Sequence, residues 1–220
     1  TLVFAAALKG FLNIKRQVQI MASARMATRI AADTSTAIGK TEKVLRQIEE
    51  LANKRFLHIV SSRKAELLER LVRKSKPAFA VETGTLIGYS AIRIARNLPV
   101  GGKLVSIEIN KSRAAEARKN ISAAGLADKV EVVVGEATAV LGNLKENVWF
   151  VFFDVADYIA CLKKLESNGC IGKGCMVVAN NVRWFADRLM PYLDYVRNSS
   201  LYRSVYYDFG FDGMEMSVKK

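Results

Sequence analysis

Two acidic residues and two glycines at the ends of apolar runs are the residues of this sequence best suited to chemistry. Glu82 ends one apolar run and precedes a turn that contains Gly84 and Gly88. Glu108 ends a second apolar run, 26 residues after Glu82. A glycine turn after a strand lets a cofactor approach the backbone closely, and an acid at the tip of the next strand can accept hydrogen bonds from both hydroxyls of a ribose. This spacing predicts a nucleoside cofactor.

The glycine turn differs from the common phosphate-binding motifs. Its pattern is Gly-x-x-x-Gly, whereas dinucleotide sites use G-x-G-x-x-G and phosphate loops end in Gly-Lys-Ser or Gly-Lys-Thr. Glu82 adds negative charge beside the turn, which disfavours a pyrophosphate at the start of the next helix. A cofactor with a cationic group is favoured, and S-adenosylmethionine, with its sulfonium and amino groups, fits. The alternative is an ordinary strand–turn–helix with exposed acids at the strand ends.

The elements that position these residues alternate between strand and helix. We predict strands at 78–83, 103–109, 129–134, 148–154, 175–180, 202–209 and 214–219, with helices at 13–56, 64–74, 88–98, 111–124, 157–167 and 184–197. Nearly continuous apolar strands are typical of parallel sheets covered by helices on both faces. Ligands of such sheets bind at the carboxyl ends of the strands. Five polar residues are predicted to meet at that edge: Glu82, Glu108, Glu136, Asp154 and Asn180.

Composition places the chain among globular proteins. Half of the 220 residues are hydrophobic, and the three cysteines form no paired or zinc-binding pattern. An odd number of cysteines in apolar settings favours core thiols and a cytoplasmic location. The apolar segment 2–12 is too short to cross a bilayer and is interrupted by Lys9, so membrane association is left open.

The net charge of +13 is concentrated near the N-terminus. Residues 1–76 contain 16 Lys and Arg against 6 Asp and Glu. Such an excess attracts RNA or an anionic membrane, although a solvated helical surface accounts for it equally well. We therefore predict a basic N-terminal helical extension, 1–55, followed by a catalytic domain, 56–220. A homodimer formed through the N-terminal helices is a further expectation.

Residues 56–220 resemble the catechol O-methyltransferase-like family of S-adenosylmethionine-dependent, class I O-methyltransferases. The resemblance rests on six segments: 82–90 (ETGTLIGYS), 107–110 (IEIN), 133–137 (VVGEA), 153–154 (FD), 178–182 (VANNV) and 212–215 (DGME). It implies an α/β, Rossmann-like methyltransferase fold. In that fold a mostly parallel seven-stranded sheet has helices on both faces, here with additional N-terminal helices.

The resemblance also implies roles for individual residues. Glu108 would bind the ribose hydroxyls, the 82–90 segment would surround the methionine part of the cofactor, and Glu215 would contact an acceptor hydroxyl. The implied catalytic residues are Asp154, Asn181 and Glu215, and the implied metal ligands are Asp154, Asn180 and Asn181. The implied cofactor-binding residues are Val60, Glu82, Gly84, Tyr89, Ser90, Glu108, Ile109, Glu136, Ala137 and Asp154.

Two departures from the family pattern concern catalysis. The family holds Mg²⁺ with an Asp-Asn pair after the fifth strand, whereas this chain has Asn180 and Asn181. Losing a carboxylate weakens a magnesium site without removing it. The family's lysine base after the metal-binding aspartate is absent, and Asp157 or Tyr158 is a candidate replacement. The only histidine, His58, is also a candidate base, although a packing or surface role is more common.

The function indicated is methyl transfer from S-adenosylmethionine to an oxygen of a small hydroxylated acceptor. Two alternatives stay open. The first is a tRNA or RNA methyltransferase that docks its substrate on the basic N-terminal region. The second is a protein that binds S-adenosylmethionine without catalysis.

Overall fold

The computed structural model describes residues 26, 36, 39–155 and 157–220. Most of the basic N-terminal extension lies outside these residues. Helix α1 is described over 39–55. It is followed by α2 (Ser62–Ser75), β1 (Phe79–Thr83), α3 (Tyr89–Ala95), β2 (Lys103–Glu108), α4 (Lys111–Ala123), β3 (Val130–Val134), α5 (Ala137–Gly142), β4 (Val148–Phe153), α6 (Tyr158–Ser167), β5 (Ile171–Ala179), α7 (Ala186–Asn198), β6 (Tyr202–Asp208) and β7 (Gly213–Lys219).

The seven strands form one sheet in the order β3-β2-β1-β4-β5-β7-β6. Strands β1 to β5 pair in parallel, and β7 runs antiparallel to both β5 and β6. Strand order reverses between β1 and β4, so a crevice opens at their carboxyl ends. The predicted mostly parallel seven-stranded sheet is confirmed.

Alternation of side chains along the strands divides the core into two layers. On β4, Phe150 and Phe152 pack in a first core with α1 to α4, whereas Val151 and Phe153 pack in a second core with α5 to α7. Successive side chains of a strand point to opposite faces, so both faces of this sheet are apolar and covered by helices. The three free cysteines are buried, as predicted.

Helix α1 is part of this packed unit. Val44, Leu45 and Ile48 are buried in the first core. The domain division predicted at residue 55 stays a prediction, but the apolar face of residues 39–55 packs in the same core as α2, α3 and α4. Among the described residues, no helix is both long enough and apolar enough to cross a membrane.

Two local differences from prediction have simple causes. The short helix α5 was not predicted, because it has six residues and depends on a cap from Glu136 rather than on hydrophobic periodicity. Strand β5 begins at Ile171, earlier than expected, because two glycines in 172–174 conceal its alternation.

Candidate active site

The glycine turn between β1 and α3 has the geometry that its sequence predicts. Gly84 and Gly88 adopt φ values of 94° and 91°, which glycine tolerates best. A Cβ atom on Gly84 would lie 2.6 Å from Cγ2 of Val155. Hydrogen bonds from the backbone N–H groups of Gly84 and Thr85 to the Ile107 carbonyl, 2.9 and 3.2 Å long, hold the turn against β2. Val155 therefore packs directly against the turn, at a position where only a glycine fits.

Glu108 is fixed at the tip of β2 before any ligand binds. Its Oε2 accepts a hydrogen bond from the Leu86 backbone N–H at 2.9 Å, and its Oε1 accepts one from the Asn110 backbone N–H at the same distance. Each carboxylate oxygen has further lone pairs. The side chain is therefore oriented and still able to accept hydrogen bonds from a diol.

Glu82, near the end of β1, has a buried carboxyl group whose hydrogen bonding is incomplete. Its side chain is fully buried, its Oε2 accepts a hydrogen bond from the Ser106 hydroxyl at 2.5 Å, and its Oε1 has no hydrogen-bond partner among the described residues. Burial raises the pKa of Glu82 to about 7, while the hydroxyl groups of Ser106 and Ser90 oppose this rise. A buried carboxylate oxygen without a partner is costly. A cationic ligand group would relieve that cost.

A first cleft of about 250 Å³ lies beside the turn. Its residues come from the glycine turn after β1, from β2 and the residue after it, from the start of α5 and the residues before it, and from the segment after β4. They are Gly84, Ile107, Glu108, Ile109, Gly135, Glu136, Ala137 and Val155.

Glu136 occupies the rim of this cleft in a different role from the one expected. Its carboxylate accepts hydrogen bonds from the backbone N–H groups of Thr138 and Ala139, at 3.0 and 2.8 Å, and so caps α5. The Thr138 hydroxyl also donates to it, and these bonds lower the pKa of Glu136. Its side chain is therefore occupied by the helix, while the neighbouring Ala137 and the exposed Ile109 offer apolar surface.

Tyr89 and Ser90 lie in the first turn of α3, and both are buried. The Tyr89 hydroxyl donates to Oε1 of Glu49 in α1 at 2.5 Å and accepts a hydrogen bond from Arg93 at 2.8 Å. The expectation that Tyr89 binds the cofactor is not supported for its side chain, because its hydroxyl ties α3 to α1 instead.

A second cleft of about 330 Å³ lies at the same edge of the sheet. The combined volume of the two clefts lies within the ~300–1,000 Å³ that is typical of ligand sites. Three aromatic side chains line it, and Trp184 and Phe211 are 68% and 96% exposed. The full lining is His58, Ile59, Val60, Ser61, Lys64, Asn180, Asn181, Trp184, Phe209, Phe211 and Asp212. Val60, expected at the cofactor, thus lies at this second cleft.

Asp154 lies between the two clefts, directly after β4. Its Oδ1 accepts hydrogen bonds from Nδ2 of Asn180 at 2.7 Å and of Asn181 at 3.3 Å. Burial raises the pKa of Asp154 to about 6, which the Asn180 bond and the nearby Lys64 ammonium oppose. The next residue, Val155, lines the first cleft, and both asparagines line the second. The predicted convergence of Asp154, Asn180 and Asn181 is therefore present.

Lys64, which the sequence analysis did not single out, lies at the centre of this polar group. Its Nζ donates to Oδ1 of Asn180 at 2.8 Å, to Oδ1 of Asn181 at 3.2 Å and to Oδ2 of Asp212. Helical periodicity is the signal that could have revealed it. Lys64 lies four and seven residues before Leu68 and Leu71 on the buried face of α2.

The position of Glu215 contradicts the role expected for it. Glu215 pairs with Ala179 across the sheet, and the side chain of Ala179 belongs to the second core. Both carboxylate oxygens accept hydrogen bonds from Arg197 of α7, at 3.0 and 2.7 Å. The side chain is almost fully buried on the face of the sheet away from the second cleft. It cannot orient an acceptor there.

Neither candidate for the missing lysine base reaches the clefts. The Asp157 carboxylate accepts a hydrogen bond from the Ala160 backbone N–H at 3.1 Å and caps α6. Tyr158 is buried, and its hydroxyl donates to the Asn180 carbonyl at 3.2 Å. His58 is exposed and lines the second cleft.

Comparisons with known proteins agree on one family. A sequence profile described as O-methyltransferase matches residues 32–200. The chain is 34% identical to catechol O-methyltransferase B of Danio rerio over 194 residues, which cover 82% of this chain and 73% of that protein. It is 30% identical to catechol O-methyltransferase of Mus musculus, covering 82% of this chain and 72% of the relative.

Solved structures show the same architecture. The O-methyltransferase from Bacillus cereus, in complex with SAH, superimposes with a TM-score of 0.71 at 26% identity and covers 81% of this chain and 91% of its own. The O-methyltransferase TomG from Streptomyces achromogenes, in complex with SAM, also gives a TM-score of 0.71, at 25% identity, and covers 80% and 89%.

Proposed function

Because this chain belongs to the O-methyltransferase family and is an S-adenosylmethionine-dependent O-methyltransferase, we propose that its acceptor is a small hydroxylated aromatic compound bound in the second cleft. The observation that carries this proposal is that Val155, the residue after Asp154, lines the first cleft, while the asparagines bonded to Asp154 line the second. The first cleft contains Glu108, whose carboxylate can accept hydrogen bonds from a diol. The second cleft is lined by the aromatic side chains of Trp184, Phe209 and Phe211. Flat aromatic walls favour planar ligands. The catechol O-methyltransferases among its relatives support the same class of acceptor.

The residues around the first cleft fit S-adenosylmethionine. The unpartnered Oε1 of Glu82 is suited to the amino group of the methionine part, and the oriented carboxylate of Glu108 is suited to the ribose hydroxyls. Gly84 lets the turn and Val155 pack closely together as one wall of this cleft, where a side chain at position 84 would collide with Val155. We assign Ser90 to the methionine carboxylate and Ile109 and Ala137 to the apolar surface under the adenine.

S-adenosylmethionine supplies an activated sulfonium methyl group, so the protein contributes mainly alignment. We assign Asp154 to a hydrogen bond with the acceptor hydroxyl, because it is the carboxylate beside both clefts. Asn181 lines the acceptor cleft and holds Asp154 in place. The aromatic side chains would pack against the acceptor and fix the plane of its ring.

The residues expected to bind Mg²⁺ do not fit that ion well. Mg²⁺ requires near-octahedral oxygen ligands and favours carboxylates. Asp154 is the single carboxylate of the expected set, and the side-chain oxygens of Asn180 and Asn181 already accept hydrogen bonds from Lys64. No step of this proposal therefore depends on a metal.

A methyl-transfer assay with a chemically graded panel tests the acceptor class. The protein would be incubated with methyl-labelled S-adenosylmethionine and with aromatic diols, monophenols, aliphatic alcohols or tRNA. We expect a methyl ether on a hydroxylated aromatic compound. Transfer to tRNA alone would contradict the proposal and favour RNA docking on the basic N-terminal region. Cofactor binding without transfer to any acceptor would favour a non-catalytic protein.

A matched pair of variants tests the acceptor cleft. Trp184→Ala should raise KM for the aromatic acceptor at least severalfold, because an exposed wall of the second cleft is lost. Trp149→Ala is the control, since Trp149 is 46% exposed at the start of β4 and lines neither cleft. Equal effects of the two variants on KM would contradict the assignment.

A further inference from the structure

Lys64 is a buried cation held entirely by the polar group at the acceptor cleft. Its side chain is only 8% exposed. Three oxygens accept from its ammonium group, one each from Asn180, Asn181 and Asp212. An ammonium group has three hydrogens, so its donor capacity is fully used by these partners.

The hydrogen bonds of the two asparagines have a consistent direction. Each donates its Nδ2 group to Asp154 and uses its Oδ1 to accept from Lys64. A metal ion at the same place would need those amide oxygens as ligands and would meet the positive charge of Lys64. Within the described part of the chain, no group of three or more His, Cys, Asp or Glu side chains could hold a metal ion.

One of the two carboxylates at this place, Asp212, is already paired with Lys64. Its Oδ1 accepts hydrogen bonds from the backbone N–H groups of Arg183 and Trp184, at 3.2 and 3.0 Å. These contacts lower the pKa of Asp212 despite the opposing effect of burial. The same ammonium group lies near Asp154 and favours its ionised form. A divalent ion would therefore find one carboxylate, Asp154, that is not already in an ion pair, and it would meet the positive charge of Lys64.

We propose that the Lys64 ammonium is the resident cation of the acceptor site, and that the protein has no functional divalent-metal site there. Lys64 acts as a positioning residue: it holds Asn180 and Asn181, which in turn direct their N–H groups to Asp154. The inference deepens the proposed function, since it concerns the same acceptor site, but it makes a separate statement about ion binding.

Titration with Mn²⁺ alone, followed by electron paramagnetic resonance of the free ion, tests this inference. Four proteins are compared: the unchanged chain, Lys64→Met, Asn180→Asp and the double variant. The double variant places Asp154, Asp212 and a third carboxylate together without the lysine. We expect it to bind Mn²⁺ at least tenfold more tightly than the unchanged chain. Asn180→Asp alone, which keeps Lys64, should gain less than the double variant.

The inference would be overturned if the unchanged chain bound Mn²⁺ as tightly as the double variant or more tightly. A gain from Asn180→Asp that matches the double variant would overturn it as well, because Lys64 would then not oppose the metal. If the double variant fails to fold, the unchanged chain and Lys64→Met still decide: saturable Mn²⁺ binding by the unchanged chain that Lys64→Met does not strengthen would overturn the inference.

Two exposed positions provide matched controls. Lys173→Met removes a lysine from β5, and Asn198→Asp adds a carboxylate at the end of α7. Neither should change Mn²⁺ binding. Because the measurement uses the metal alone, it remains informative if no acceptor is methylated, and the methyl-transfer assay remains informative if Mn²⁺ binds.

Discussion

Glu108 shows how one side chain can be prepared for a ligand by the backbone around it. Its two oxygens are held by N–H groups from the glycine turn and from the start of α4, so its rotamer is fixed by two elements. Preorganisation of this kind lowers the entropy lost when a ligand binds. The carboxylate therefore belongs to the binding site even without its ligand.

Replacing Glu108 with Gln should weaken S-adenosylmethionine binding by about tenfold to a hundredfold. The charged acceptor of two ribose hydroxyls is lost, and hydrogen bonds to charged groups contribute ~1.5–3 kcal/mol each. Titration calorimetry measures the change. Glu131→Gln, at an exposed position of β3, is the control. An unchanged affinity for Glu108→Gln would contradict the ribose assignment.

Glu82 predicts a pH dependence of cofactor binding. Its pKa of about 7 means that the carboxyl is mostly protonated at pH 6 in the free protein and ionised above pH 7. The positively charged amino group of the cofactor favours the ionised form. Affinity should therefore rise between pH 5.5 and 7.5, with proton release on binding near pH 6.

Calorimetry in two buffers of different ionisation enthalpy measures that proton release directly. Glu82→Gln should abolish it, which separates Glu82 from the other carboxyl with a raised pKa, Asp154. If the released proton persists in Glu82→Gln, the assignment of the titration to Glu82 is wrong.

The position of a site residue could be predicted from sequence where the end of a strand fixes it. It could not be predicted where it depends on the face of the element from which the side chain extends. The strand ends bring Glu82, Glu108 and Asp154 to one edge, as parallel pairing requires. Glu215 was misplaced because a motif does not show which face of β7 a residue occupies, and a shift of one residue reverses that face. Lys64 was missed because its partners lie more than 100 positions away along the chain.

At the scale of elements, the turn from β1 to α3 combines two demands on Gly84. The φ of 94° disfavours any other residue, and the nearby Val155 excludes a side chain. Gly101 has a φ of 78°, but a Cβ atom at that position would have no neighbour within 4 Å, so Gly101 meets only the first demand.

Gly84→Ala should consequently lower both stability and cofactor affinity, whereas Gly101→Ala should lower stability alone. The backbone strain in either variant costs roughly 1–2 kcal/mol. Urea unfolding and cofactor titration measure the two quantities. Adding Val155→Ala to Gly84→Ala should recover part of the lost affinity, because the colliding methyl groups are removed. No recovery would mean that strain in the turn, rather than the collision, weakens binding.

The seven strands could be predicted from sequence because the central ones are apolar runs, and the last two, which contain polar residues, are rich in aromatic and other apolar side chains. Their order in the sheet follows from family resemblance rather than from periodicity. Helix α5 could not be predicted, since six residues carry too little pattern, and its formation depends on the Glu136 cap.

At the scale of the whole molecule, helices α1, α2 and α3 are joined by charges as well as by their apolar faces. Glu69 of α2 pairs with both Arg93 and Arg96, which in turn reach Glu49 and Glu42 of α1. Burial of Glu69 is outweighed by these arginines, which lower its pKa. The wall behind the glycine turn is therefore connected to residues that the sequence analysis assigned to an extension.

Cofactor binding should stabilise this whole unit against unfolding. A ligand present at 100 times its Kd adds ~2.7 kcal/mol, and a chain of this length gains ~2–4 °C in Tm per kcal/mol. We expect saturating S-adenosylmethionine to raise Tm by about 5–10 °C in a thermal-unfolding experiment. Adenosine at the same concentration is the comparison, and it should give a smaller rise because it lacks the amino group that Glu82 would bind. An equal rise with both ligands would argue against that contact.

The dipeptide 154–155 serves both clefts at once, since Asp154 contacts the asparagines of one and Val155 lines the other. Substitutions there would alter methyl-donor affinity together with acceptor choice. Divergence toward new acceptors should therefore proceed through the aromatic loops around Trp184 and Phe211, where side chains can vary while the donor pocket stays intact.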